Sequence, residues 1–152
     1  MARPITPEDA LEARATWQVM YRRGLTKHCP RCGGGHLYVG WFRMKERCPT
    51  CGFKFEREAG FFVGAYFINF AIAEGLLFVL VMAYVLVLAQ NPDAGFVLPI
   101  VGGVVLGIIG PMVFYPFART IWSAIDLAST PLELDEIVAA QDFLATEAKP
   151  AG

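Results

Sequence analysis

Apolar positions are unevenly spread along this chain. From Phe61 to Ala89 the sequence is almost unbroken apolar residues, and from Phe96 to about Phe117 it is so again. At a rise of ~1.5 Å per residue, about 20 residues cross the hydrocarbon core of a bilayer, so each run is long enough. Gln90-Asn91-Pro92-Asp93-Ala94-Gly95 between them has the composition of a tight turn. This pattern predicts an antiparallel hairpin of two transmembrane helices. The second should run on through "ARTIWSAIDLAS" to about residue 128, with Trp122 at the headgroup level.

Outside the two runs the pattern becomes amphipathic. Thr6-Pro7-Glu8-Asp9 has the order of an N-cap, a first-turn proline and first-turn acids. Ala10, Ala13, Trp17, Met20 and Tyr21 then fall on one stripe, and Gly24 is placed to end the helix. Such a helix could lie on anionic headgroups or pack against its neighbour in the chain. Thr130-Pro131-Leu132-Glu133 repeats the capping logic and predicts a last helix, with Leu134, Ile137, Val138 and Leu144 on or near one face. Leu37-Tyr38-Val39 and Trp41-Phe42-Arg43-Met44 read as two short strands around Gly40. The expected organisation is therefore a helix over 1–26, a small β module over 27–58, the hairpin over 59–128 (spans at about 61–89 and 96–118), and an acidic tail helix over 129–152.

Composition sharpens this picture. Apolar residues are 55% and charged residues 18% of the chain, against roughly 45–50% and about 25% in soluble domains. The opening "MARPITPEDALEARATW" lacks the apolar core of a secretory signal. Eleven of the 13 Lys and Arg precede the first run, Arg119 closes the second, and the turn between them has none. By the positive-inside rule both termini face the cytoplasm.

The small β module carries the chemistry. Cys29-Pro30-Arg31-Cys32-Gly33 and Cys48-Pro49-Thr50-Cys51-Gly52 form a Cys-x2-Cys, x15, Cys-x2-Cys pattern. Two intervening residues let one tight turn aim both sulfurs at one ion, and the glycine after each pair relaxes the backbone. Cys29, Cys32, Cys48 and Cys51 thus make a closed four-sulfur site, the usual form of structural zinc, with iron the second choice of such ligands. Disulfides would require an oxidising compartment, opposite to the expected topology. His28 and His36 adjoin the site but are not needed to fill it. About 30 residues cannot build a core alone, so this zinc ribbon should depend on its metal.

Several further features bear on function. Arg31, Arg43, Lys45, Arg47 and Lys54 with Tyr38, Trp41 and Phe42 could suit single-stranded nucleic acid. Tethering to an anionic bilayer explains the same charges through lipid or a partner, so no nucleic acid is expected. Asn69 and Glu74 lie inside the first span, and a mid-membrane carboxyl must be protonated, paired or turned into protein. Gly103 and Gly107 in the second span allow close helix approach, while Pro99, Pro111 and Pro116 should kink it. Asn69, Glu74, Gly103 and Gly107 are the candidate partner contacts. No nucleophile–base set and no phosphate-cradling loop is present, so no enzyme is expected.

The run "CPRCGGGHLYVGWFRMKERCPTCGFKFEREAGFFVGAYFINF" resembles the bacterial domain-of-unknown-function family 983 over about Leu25 to Leu127. The resemblance implies a zinc ribbon followed by a transmembrane hairpin, and no established activity. Proximity of some members' genes to those of haem–copper oxidase assembly implies an accessory role by association. The leading expectation is a non-enzymatic, stabilising subunit of a larger integral membrane complex in contact with membrane lipid, such as a multi-subunit ATP-driven lipid transporter. An assembly factor or metal chaperone for a haem–copper oxidase, or a small stand-alone transporter, are the alternatives.

Overall fold

The computed structural model describes residues 15–147. The expected helix start at Thr6–Asp9, with Ala10 and Ala13, and the last residues of the tail lie outside the described residues. In chain order the elements are α1 (Trp17–Leu25), β1 (Tyr38–Val39), β2 (Arg43–Met44), α2 (Val63–Gln90), α3 (Val97–Ser129) and α4 (Leu134–Glu147).

α2 and α3 are both long and apolar enough to cross a membrane, with mean hydropathies of 2.5 and 2.3 in their most apolar stretches. None of the residues in those stretches is buried within the chain, so these are not core helices of a soluble fold. The two helices pack along each other. A Cβ added at Gly103 would meet Leu80 at 3.7 Å and Leu77 at 4.0 Å, and the Asn69 amide donates to the Pro111 carbonyl at 3.1 Å. At the other end Gly64 makes room for the Trp122 indole, where any Cβ would overlap the ring. Trp122 therefore wedges under the start of α2, beside Phe61.

The last third of α3 extends beyond its apolar stretch and forms the floor of everything else. Pro116, Ala118, Thr120, Ile121, Ser123, Ala124 and Leu127 are all buried there. α1 crosses this segment at Gly24, whose added Cβ would meet the Thr120 carbonyl at 3.0 Å and Ala124 at 3.1 Å. The Thr120 hydroxyl donates to the Gly24 carbonyl at 2.7 Å. Gly24 thus sits inside α1 for close approach and does not end it. Met20 is buried with it, whereas Trp17 and Tyr21, expected on the same stripe, are exposed.

Two prolines interrupt the hydrogen bonding of α3, and Pro99 lies in its first turn, where no N–H partner is required. Pro116 has no N–H to give the Met112 carbonyl four residues earlier. The Trp41 indole N–H takes that place, donating to the Met112 oxygen at 2.9 Å. The Tyr38 hydroxyl donates to the Pro116 carbonyl at 2.6 Å, and burial raises its pKa, which keeps it a donor. β1 and β2 pair antiparallel, Tyr38 with Met44 and Val39 with Arg43. Trp41 and Phe42 are therefore turn residues and not strand residues, with Gly40 at φ +72°. Their rings meet Phe117 and Tyr115 of α3 at 6.4 and 5.8 Å.

α4 begins at Leu134, so its cap is Glu133, three residues later than the expected Thr130. The Glu136 carboxylate accepts from the Glu133 N–H at 3.0 Å, half of a capping box, while the Thr130 N–H closes α3 on the Asp126 carbonyl. The buried face of α4 consequently holds Ile137 and Ala140, and Leu134 and Val138 turn outward.

Arg57 fastens these parts together. Its guanidinium donates to Glu136 at 2.7 and 2.8 Å, to Asp126 at 2.9 Å and to the Thr130 carbonyl at 2.9 Å, with only 11% of the side chain exposed. Burial disfavours the ionised Glu136, but Arg57 and the Glu133 N–H outweigh it and hold its carboxyl below the usual range. A depressed carboxyl stabilises the fold above the ordinary carboxylate range, and that contribution is lost as pH falls below about 4. Arg57→Ala should cost about 2 kcal/mol, less than a fully buried pair because Glu136 is partly solvated. Denaturant titrations at pH 7 and pH 3 would check it: the deficit should be present at pH 7 and shrink at pH 3.

Candidate metal centre

Each cysteine pair is built by the same backbone turn. In the first, the Cys29 N–H bonds the Gly34 carbonyl at 2.9 Å and the Gly33 N–H bonds the Cys29 carbonyl at 2.8 Å. In the second, the Cys48 N–H bonds Phe53 at 2.8 Å and the Gly52 N–H bonds Cys48 at 2.9 Å. Gly33 and Gly52 occupy the same left-handed region, φ +81° and +69°, which a residue with a Cβ adopts only at a cost. The spacing therefore translates into two copies of one turn, each aiming two sulfurs inward.

The copies face each other. The four cysteines are free thiols, and their Sγ atoms all lie within 4.8 Å of one another. Cys29 to Cys51 is 3.7 Å and Cys32 to Cys48 is 3.8 Å. A tetrahedral ion with metal–sulfur bonds of ~2.3 Å requires sulfur–sulfur edges of about 3.8 Å. The cluster thus fits one tetrahedral ion, held by Cys29, Cys32, Cys48 and Cys51, with no open position for a substrate. The Gly34 N–H also donates to the Cys32 sulfur at 3.2 Å, the kind of outer contact that stabilises a thiolate. His28 is exposed and its ring engages Thr26 at 2.8 Å; neither histidine belongs to the cluster.

The electrostatics agree with a cation at the centre. Cys29 is fully buried, and hydrogen bonding to Cys48 and Cys51 together with burial pushes its thiol far above the ordinary range. Cys48 is held low by the hydrogen bond from Cys29. Protein alone therefore disfavours charge on Cys29 while favouring it on Cys48. A divalent ion would remove the restriction on Cys29, displacing protons as it binds, so affinity should fall as pH falls.

The cluster is locked to the helices on both sides. Arg23 of α1 donates to the Pro30 and Arg31 carbonyls at 3.1 and 2.8 Å, and Arg31 reaches the Cys51 carbonyl at 3.4 Å. Gly52 lies directly under the Ala140 carbonyl of α4. Arg47 bonds the Gly52 carbonyl at 3.1 Å and stands 5.5 Å from the Phe143 ring. Leu37, Phe53 and Phe55 fill the space beneath.

The other predicted residues divide in two. Asn69 of α2 and Gly103 of α3 both lie at the contact between the chain's own two long helices. Glu74 is exposed on α2 and, among the described residues, has no side-chain partner; Gly107 has open space around it. Arg57 and the Tyr38–Trp41 contacts escaped sequence reasoning. Of these only Arg57 carried a signal, since it lies within the run that resembles family 983.

A compact four-thiol module standing on two long apolar helices defines a small protein with a candidate metal centre and candidate membrane spans. The profile of the DUF983 family, "Protein of unknown function (DUF983)", matches residues 38–126. That is more than half of the chain, which belongs to this family. The match begins between the two cysteine pairs and so takes in Cys48 and Cys51. No curated protein and no solved structure matches.

Proposed function

We propose that this protein is a non-enzymatic accessory subunit of a larger complex in the bacterial inner membrane. α2 and α3 form a transmembrane hairpin, both termini lie in the cytoplasm, and a structural zinc ion organises a ribbon on that face. The basic residues ahead of α2 and Arg119 at the end of its apolar partner support this orientation. A closed four-sulfur site supports structural over catalytic zinc.

Glu74 carries the partner reading. It stands near the middle of α2, on a surface stripe with Phe67, Phe70 and Phe78, which are 70%, 64% and 65% exposed. A carboxyl facing hydrocarbon costs at least ~2.5 kcal/mol. The aromatic stripe with one carboxyl at its centre suits a neighbouring helix that brings a hydrogen-bonding or basic group. Tyr38, Trp41 and Phe42 are engaged on α3, which counts against their use in stacking nucleic-acid bases.

The test is isolation of the tagged full chain from its own membranes in mild detergent. A larger integral membrane protein should accompany it in fixed ratio, and Glu74→Leu should lower that recovery about tenfold, equivalent to ~1.4 kcal/mol. A wild-type chain that runs alone would overturn the reading.

A further inference from the structure

An open cavity of about 470 Å³ lies between the β1–β2 pair, the residues leading into α2, and Arg119 of α3. That is within the size range of small-ligand sites. Arg43, Lys45 and Arg119 line it, together with Glu46, Glu56 and Phe62. Arg119 is held rigidly: its guanidinium lies 3.7 Å over the Phe62 ring and 5.6 Å from that of Tyr115. Its Nε is buried and has no hydrogen-bond partner. Among the described residues no carboxylate pairs with Arg119, Arg43 or Lys45, although two acids share the cavity.

The planar fork of arginine matches the oxygens of phosphate in bidentate fashion. Arg119 is also the first charged residue after the apolar part of α3, which on the proposed orientation sets it at the level of lipid phosphates on the cytoplasmic side. We propose that this cavity binds a phosphate group, supplied by the headgroup of an anionic phospholipid, with Arg119 as its principal donor and Arg43 and Lys45 facing it. The lipid source rests on the membrane reading above; the phosphate chemistry rests on the cavity alone.

The test uses the metal-loaded full chain in non-ionic detergent, followed by native mass spectrometry. It is titrated with dioctanoyl phosphatidic acid, with dioctanoylglycerol, which has the same tails and no phosphate, and with inorganic phosphate. Phosphatidic acid should bind at least tenfold more tightly than dioctanoylglycerol, and Arg119→Gln should abolish the difference while Arg119→Lys restores part of it. Displacement of the lipid only by a large excess of inorganic phosphate supports the lipid source. Displacement at equal concentration retains the phosphate site and assigns it to free phosphate. Equal binding of the two lipids by the wild type, or an unchanged preference in Arg119→Gln, overturns the site. Metal content and helical circular dichroism report whether Arg119→Gln is folded. If it is not, the double variant Arg43→Gln, Lys45→Gln replaces it, and should lose most of the preference; an unchanged preference again overturns the proposal. Resistance of the protein to alkaline carbonate extraction tests the membrane reading separately, so either idea can fail without the other.

Discussion

Cys48→Ser is expected to abolish metal binding and unfold residues 27–57 while leaving the two long helices intact. The module has two strands of two residues each and a small core of Leu37, Phe53 and Phe55. Structural zinc in modules of this size supplies on the order of 10–16 kcal/mol of apparent binding energy at neutral pH. Nothing else in the module offers a comparable contribution, so folding and metal binding should be one event. Loss of the ion also releases Trp41 and Tyr38 from the Met112 and Pro116 carbonyls. The α2–α3 contacts at Asn69, Gly103 and Gly64 do not pass through the module, so helical content should hold. Elemental analysis should show metal falling from one equivalent to under about a tenth, consistent with losing one of four ligands. Trypsin should then cut at Lys45, Arg47 and Lys54. Full metal content in the serine variant would contradict the four-ligand assignment.

The second large effect concerns Gly52 and is read against Gly33. Both glycines follow the second cysteine of a pair at positive φ, so alanine at either costs about 1–2 kcal/mol in backbone conformation. At Gly33 the added methyl meets only the Arg23 side chain, at 3.0 Å, and no backbone. At Gly52 it meets the backbone of Ala140, which must move. Overpacking adds roughly 1–3 kcal/mol, so Gly52→Ala should cost ~3 kcal/mol or more and Gly33→Ala only about 1 kcal/mol. The excess should appear as undocking of α4, seen as faster amide hydrogen exchange at Ile137 and Ala140 in Gly52→Ala alone. Equal exchange in the two variants would mean that α4 is not held at this point.

Local chemistry explains which parts of this structure were legible in the sequence. The Cys-x2-Cys-Gly turns are closed by bonds within six residues, so their geometry follows from spacing. The apolar runs needed only length. The Thr130-Pro131-Leu132-Glu133 stretch foretold α4, but its cap falls on Glu133, which shifts the inward face toward Ile137 and Ala140. That phase is set by Gly52 and Arg57, some 80 residues earlier in the chain, and no local pattern reports it. Gly24 was misread for a similar reason: a helix-ending glycine and a helix-crossing glycine look alike until Thr120 is known to lie against it. Trp41 was read as a strand residue because aromatic residues favour strands. Its actual task is to satisfy the carbonyl freed by Pro116, a defect in a helix that begins 56 residues later.

The central claim is that the four sulfurs of Cys29, Cys32, Cys48 and Cys51 hold one metal ion, proposed to be zinc, and that this ion organises the small module on the two proposed membrane helices. X-ray absorption at the zinc edge on the full chain, purified from membranes without added metal, tests it most directly. The account predicts one zinc per chain, surrounded by four sulfurs at ~2.3 Å and no lighter ligand. A substoichiometric metal in folded protein, or a shell containing nitrogen or oxygen, would contradict it.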